Sequence, residues 1–210
     1  MKTRAYKGFR KDSDGKLWCR DFQYVPRKTY RQSGVIMLCE NGFHACEELY
    51  QCFEFYPNNG ENVFYEVECD GVVTKPDRGK FACSKIMLVR EISIPKTPLF
   101  TKAYTLENVG LGIVGRGSVL DGTREYNFIK KDCTVLLDEW VWDIGFFNSG
   151  FAKIGNRKRK YNFTDTEGNL LYYRWFDSAQ SFVGKYARVV LDRKNYVIDT
   201  RGNLMEPKIL

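Results

Sequence analysis

The second half of the chain repeats itself. Tyr126-Asn127-Phe128-Ile129 returns 35 residues later as Tyr161-Asn162-Phe163-Thr164, and Trp140 returns as Trp175 at the same offset. Asp165-Thr166-Glu167-Gly168-Asn169-Leu170 returns 34 residues later as Asp199-Thr200-Arg201-Gly202-Asn203-Leu204. Upstream of these anchors, Gly150-Phe151-Ala152-Lys153-Ile154 aligns with Lys185-Tyr186-Ala187-Arg188-Val189, and Gly115 to Val119 is a weaker copy. A unit this short cannot bury a core alone, so a periodic stretch of this kind has to stack its copies side by side. Around Phe151, Lys153, Tyr161 and Phe163 the residues alternate with the period of two that marks half-buried strands. Asn156-Arg157-Lys158 and Leu191-Asp192-Arg193-Lys194 then fall at hairpin tips. Gly168 and Gly202 sit where the following turn needs a left-handed residue. Residues 101–210 therefore read as a domain of β-hairpin repeats.

Residues 1–100 show no such period. Thr3 to Phe9 reads as an opening strand, Asp12-Ser13-Asp14-Gly15 as a turn, and Val63 to Glu68 and Lys85 to Ile94 as strands. Ala45, Leu49, Cys52, Phe53 and Tyr56 recur at helical spacing and predict one amphipathic helix, with Glu47 and Glu48 in its first turn and Pro57 ending it. The expectation is an α+β fold: a small mixed N-terminal domain with that helix on an antiparallel sheet, followed by the repeat domain. An aromatic content of 15% is incompatible with disorder.

Six of the seven cysteines, Cys19 to Cys83, lie in the first 83 residues. No apolar run approaches the roughly 18 residues of a membrane span, and Met1 to Lys16 offers no apolar stretch for a signal peptide. Free thiols without an export signal point to a reducing cytoplasm, that of a bacterial host. Two readings of Cys39, His44, Cys46 and Cys52 stand side by side: buried reduced thiols, or a zinc site, although no Cys-x-x-Cys pair is present. The charge is uneven. Residues 1–31 hold ten Lys and Arg against Asp12, Asp14 and Asp21, and a second basic run is Arg157-Lys158-Arg159-Lys160. Lys7, Arg10, Lys11 and Arg20, with Arg157 to Lys160, are the candidate contacts to nucleic acid or an acidic partner. Gly110-Leu111-Gly112-Ile113-Val114-Gly115 has the spacing of a dinucleotide loop but opens no helix, so it is read as part of a β repeat.

Three resemblances follow from these residues. Tyr186-Ala187-Arg188-Val189, the basic turn after it, Tyr196-Val197-Ile198-Asp199-Thr200-Arg201-Gly202-Asn203-Leu204 and Phe176-Asp177-Ser178-Ala179 resemble the WG repeat of bacterial proteins, over about residues 110–205. Tyr161-Asn162 stands where that family has Trp-Gly. The resemblance implies a β-rich interaction module with no catalytic residues to carry over. Tyr6-Lys7-Gly8-Phe9, Lys28-Thr29-Tyr30 and Cys39-Glu40-Asn41-Gly42-Phe43-His44-Ala45-Cys46 resemble an uncharacterised N-terminal domain of phages and prophages, over roughly residues 5–95. That implies a viral accessory protein in the setting of host-defence interference. Gly42-Phe43-His44, and Glu91-Ile92-Ser93-Ile94-Pro95 before Phe100, are similar to ADP-ribosyltransferase motifs. In that reading Arg4 or Tyr6 holds NAD and Glu91 stabilises the cation left as nicotinamide departs, although Val89 stands where an acidic or amide residue is usual.

Two functional expectations result. The first is a non-catalytic module docking a host protein or nucleoprotein, with direct nucleic-acid contact through the basic patches, as in an anti-CRISPR-like inhibitor. The alternative is an NAD-dependent ADP-ribosyltransferase centred on Glu91.

Overall fold

A computed structural model describes residues 2–118, 120 and 122–207, so Val119, the last residue of the weak copy, lies outside the described residues. The chain forms two compact units, Met1–Val114 with Ile129–Val135, and Gly115–Phe128 with Leu136–Leu210. Its strands are β1 (Thr3–Lys11), β2 (Leu17–Cys19), β3 (Phe22–Tyr24), β4 (Thr29–Arg31) and β5 (Phe43–Cys46). After the helix α1 (Leu49–Cys52) come β6 (Asn62–Val73), β7 (Lys80–Ile92), β8 (Lys102–Leu106), β9 (Leu111–Arg116) and β10 (Glu125–Ile129). The remaining strands are β11 (Asp143–Asn148), β12 (Phe151–Gly155), β13 (Tyr161–Thr164), β14 (Ser178–Ala179), β15 (Tyr186–Leu191), β16 (Lys194–Asp199) and β17 (Leu204–Met205).

The α+β expectation is corrected: the described chain is nearly all β. The apolar spacing from Ala45 to Tyr56 belongs to two different elements. Ala45 and Cys46 lie in β5, paired with Phe81 and Lys80 of β7, and the α-helix is the four residues of α1 alone. Because β5 is covered on both sides, Ala45 and Cys46 are both buried, and two adjacent buried residues in a strand imitate part of a helical stripe. Glu48 is the N-cap rather than a first-turn residue, in a reciprocal capping box with Gln51. The chain then turns through Phe55 and Tyr56, whose N–H groups both donate to Cys52 O.

In the first unit β1 to β7 form one sheet, in the order β3-β2-β1-β5-β7-β4, with β6 pairing both β1 and β7. The ring β1-β5-β7-β6 thus closes into a four-stranded barrel. A barrel this narrow is filled by its own side chains: Ala5, Phe9, Tyr65, Val67, Cys69, Phe81 and Cys83 form its core, with Tyr24 and Tyr30 from the neighbouring strands. Phe9 meets Tyr24 at 5.1 Å and Tyr65 edge-on at 5.7 Å. Burying rings of this size contributes roughly 2–3 kcal/mol each. Residues 85–92 of the expected strand at Lys85 to Ile94 are part of β7, which ends at Ile92, and a register shift opposite Glu66 and Val67 takes Val89 out of the pairing.

β8, β9 and β10 make a three-stranded sheet, β11 to β13 another, and β14 to β17 a four-stranded one. In the second unit the same hydrogen bonds recur along the chain. Asn127 Nδ2 donates to Leu137 O at 2.8 Å and Glu139 O at 3.5 Å, and Asn162 Nδ2 donates to Tyr172 O at 2.8 Å and Arg174 O at 3.2 Å. Both asparagines are fully buried. Asp165 accepts from the backbone of Glu167 and Asn169 and from the Asn169 side chain. Asp199 does the same with Arg201 and Asn203. Phe163, Phe176, Phe182, Val189 and Ile198 pack into one core.

Candidate functional site

In β1 the residues alternate across the barrel wall, which turns Ala5, Lys7 and Phe9 inward. Lys7 is therefore buried, only 5% exposed. Its ammonium donates to His44 O at 2.8 Å and lies 5.6 Å and 5.5 Å from the ring centres of Phe9 and Tyr24. Gly8 beside it allows Tyr56 to lie against the strand, since a Cβ there would meet the Tyr56 side chain at 2.7 Å. Outside these residues a cleft of about 1150 Å³ opens, lined by Lys7, Arg10, Trp18, Arg20, Phe22, Cys39, His44, Phe55 and Lys80 among others.

His44 is the chain's one histidine. It lies within β5. Its Nε2 accepts the Cys39 N–H at 2.8 Å, which places the imidazole proton on Nδ1. Burial, then the charges of Lys7, Lys80 and Arg20, lower its pKa to about 4, so the ring is neutral at physiological pH. Cys39 is exposed, sits at φ +67°, and its Sγ accepts from Lys80 Nζ at 3.2 Å. The same ammonium lies 4.5 Å from the centre of the Phe55 ring.

The structure does not gather the four proposed zinc ligands. Cys46 and Cys52 are buried together, and burial followed by the neighbouring Cys46 pushes the Cys52 thiol well up. Cys39 is engaged by Lys80. Among the described residues no group of three or more His, Cys, Asp or Glu is arranged to hold a metal ion.

Nor does it bring Glu91, Arg4 and Tyr6 together. Tyr6 is opposite Glu66, whereas Lys7 is opposite Tyr65 and Tyr65 opposite Glu91. Cross-strand partners share a face, so Arg4 and Tyr6 point to one side of the sheet and Glu91 to the other. Arg4 is held by Glu66 at 2.5 Å, and Arg90 binds the same carboxylate at 2.7 Å. Glu91 accepts from Tyr65 Oη at 3.0 Å, with Lys11 Nζ at 4.0 Å. Tyr6 lines the cleft and Glu91 does not.

The basic candidates separate in the same way. Arg157 is tied to Glu125 and Lys160 to Asp177. Arg159 lies 5.7 Å from the centre of the Trp142 ring. Lys158, at the exposed turn, has no carboxylate partner among the described residues, and neither do Arg10 and Arg20. Trp18 and Phe22 are legible in the sequence as aromatics interleaved with the basic stretch, whereas Lys80 and Phe55 are not, because they come from distant segments.

Residues 3–99 match a domain of unknown function, DUF7666. No curated protein matches the chain. The segment matching DUF7666 carries every residue that lines the cleft.

Proposed function

We propose that this chain is a non-catalytic binding module, a phage-type accessory protein that docks a host protein or nucleoprotein through its unpaired cations. One observation carries the reading. Lys2, Arg4, Lys85, Arg90, Arg116, Arg157, Lys160 and Arg174 are committed to internal carboxylates, whereas Arg10, Arg20 and Lys80 stand around one cleft without such a partner among the described residues. Cations left unpaired at a concave surface raise the local concentration of an anionic partner and speed encounter. The recurring asparagine and aspartate bonds of the second unit support a divergent WG-like repeat, and Lys158 at its hairpin tip has no carboxylate partner among the described residues. The counter-defence setting follows from the phage-type resemblance of the N-terminal residues.

The test is capture from a bacterial lysate by the tagged protein, with and without nuclease. Arg10→Glu with Arg20→Glu is expected to abolish capture, and Lys158→Glu to weaken it. Glu91→Gln is expected to leave it unchanged. Capture that persists undiminished at half-molar salt, or in the Arg10/Arg20 variant, would overturn the electrostatic reading.

A further inference from the structure

We propose that the cleft of the first unit binds a nucleotide unit, a phosphate carrying a base, either free or within a single strand. The inference deepens the binding-module reading and rests on it for the sign of the partner's charge.

Two independent features meet at this cleft. The first is a positive interior. An ammonium as deeply buried as that of Lys7 normally has a carboxylate beside it, yet its hydrogen bond goes to a carbonyl, two ring faces lie close to it, and it has no carboxylate partner among the described residues. Lys80 likewise contacts a thiol and a ring. Asp21, Glu40 and Glu54 also line the cleft, but Asp21 and Glu40 are exposed to solvent, and Glu54 accepts the Thr105 N–H at 3.1 Å. His44 is kept neutral first by burial, and the charges that act on it beside that, Lys7, Lys80 and Arg20, are all cations. An incoming phosphate supplies the counter-charge that Lys80 lacks, and the buried charge of Lys7 adds to the field it meets.

The second feature is aromatic. Phe22 and Phe55 remain 46% and 43% exposed although both line the cleft, and the half-buried Trp18 also contributes to its lining. Flat rings next to cations are the arrangement that takes a base by stacking and its phosphate by charge. A cleft of about 1150 Å³ is large enough to take a nucleotide. An acidic peptide would use the cations and leave the rings idle, and an apolar ligand would do the reverse.

Cys39 provides a reporter inside the site. Labelling of the native protein with a thiol-reactive disulfide is followed with ATP, a short oligothymidylate or inorganic phosphate present. The readout is the ratio of Cys39 labelling rates with and without each probe, located by peptide mapping. ATP or the oligonucleotide is expected to slow labelling about tenfold, and phosphate far less, because stacking supplies the difference. Lys80→Glu and Phe55→Ala are each expected to remove the protection. Lys80→Gln serves as the milder variant, and circular dichroism checks each fold. Protection by the oligonucleotide at lower concentration than ATP assigns the site to a strand, and the opposite order to a free nucleotide. Equal protection by phosphate, no protection by either nucleotide probe, or protection that survives both substitutions would overturn the inference. A protein that captures its partner but shows no nucleotide protection loses this inference and keeps the docking reading. Nucleotide protection without capture does the reverse.

Discussion

Replacing Asn162 by leucine is expected to destabilise the second unit far more than its similar volume suggests. The side chain is fully buried and its Nδ2 satisfies two main-chain carbonyls, those of Tyr172 and Arg174, while its Oδ1 accepts the Phe163 N–H at 2.8 Å. Leucine fills the space and leaves all three groups unpaired. Each lost hydrogen bond is worth about 1 kcal/mol net, and a buried group left unsatisfied costs about 1–3 kcal/mol. Part of that cost is relieved where the carbonyls reach water, so the expected loss is about 2–4 kcal/mol. Urea unfolding followed by tryptophan fluorescence measures it, because Trp140, Trp142 and Trp175 belong to the second unit and only Trp18 to the first. Asn169→Ala, at an exposed turn, is the comparison and is expected to lose under about 1 kcal/mol. A loss below about 0.5 kcal/mol for Asn162→Leu would refute the reasoning, because the recurring asparagine would then be decoration rather than a fastening of each loop.

Three further outcomes are expected. A proton resonance titration of His44, free of overlap from any second histidine, should show a midpoint near pH 4. Because that value lies below the unfolded value of about 6.5, the unfolded chain takes up the proton first, and stability falls as pH drops through this window by about 1–2 kcal/mol after solvent screening; His44→Gln, compared over the same pH range by urea unfolding, should lack this component. Glu66→Gln releases two guanidinium groups from a carboxylate only 3% exposed, and chemical denaturation should report a loss of about 1–2 kcal/mol. In the β15–β16 hairpin Asp192 and Arg193 both have positive φ, at 52° and 66°, so Arg193→Gly should raise thermal stability, by about 0.5–1 kcal/mol.

What could be read from the sequence depended on whether a residue's role was local. Asn127, Asn162, Asp165 and Asp199 bond to backbone within about a dozen residues, so their spacing survives in the sequence and the period of the second half is legible. Asp199 shows why such a residue resists replacement: bonds from the Asn203 side chain and from backbone N–H groups hold its carboxyl below the usual range. The barrel is another matter. Its closure joins β1 to β6 and β5 to β7 across long separations, and no local pattern announces that Ala45 and Cys46 will be covered on both sides. Lys7 is hidden for the same reason, since a lysine in a basic stretch reads as a surface charge until the strand alternation turns it inward. The cleft inherits that difficulty, because β1, β5, the Phe55 turn and the start of β7 meet there only once the ring is closed.

The division of the chain has its own consequence. Residues 129–135 belong to the first unit although residues on both sides of them belong to the second, so the backbone passes between the units three times. A single genetic crossover anywhere along the gene therefore cannot exchange one unit cleanly for another. A recombinant joined at residue 100 or 114 would strip the first unit of its second segment. New tail repeats are inherited most simply by joins after residue 135, with the whole of the preceding chain travelling as one heritable block.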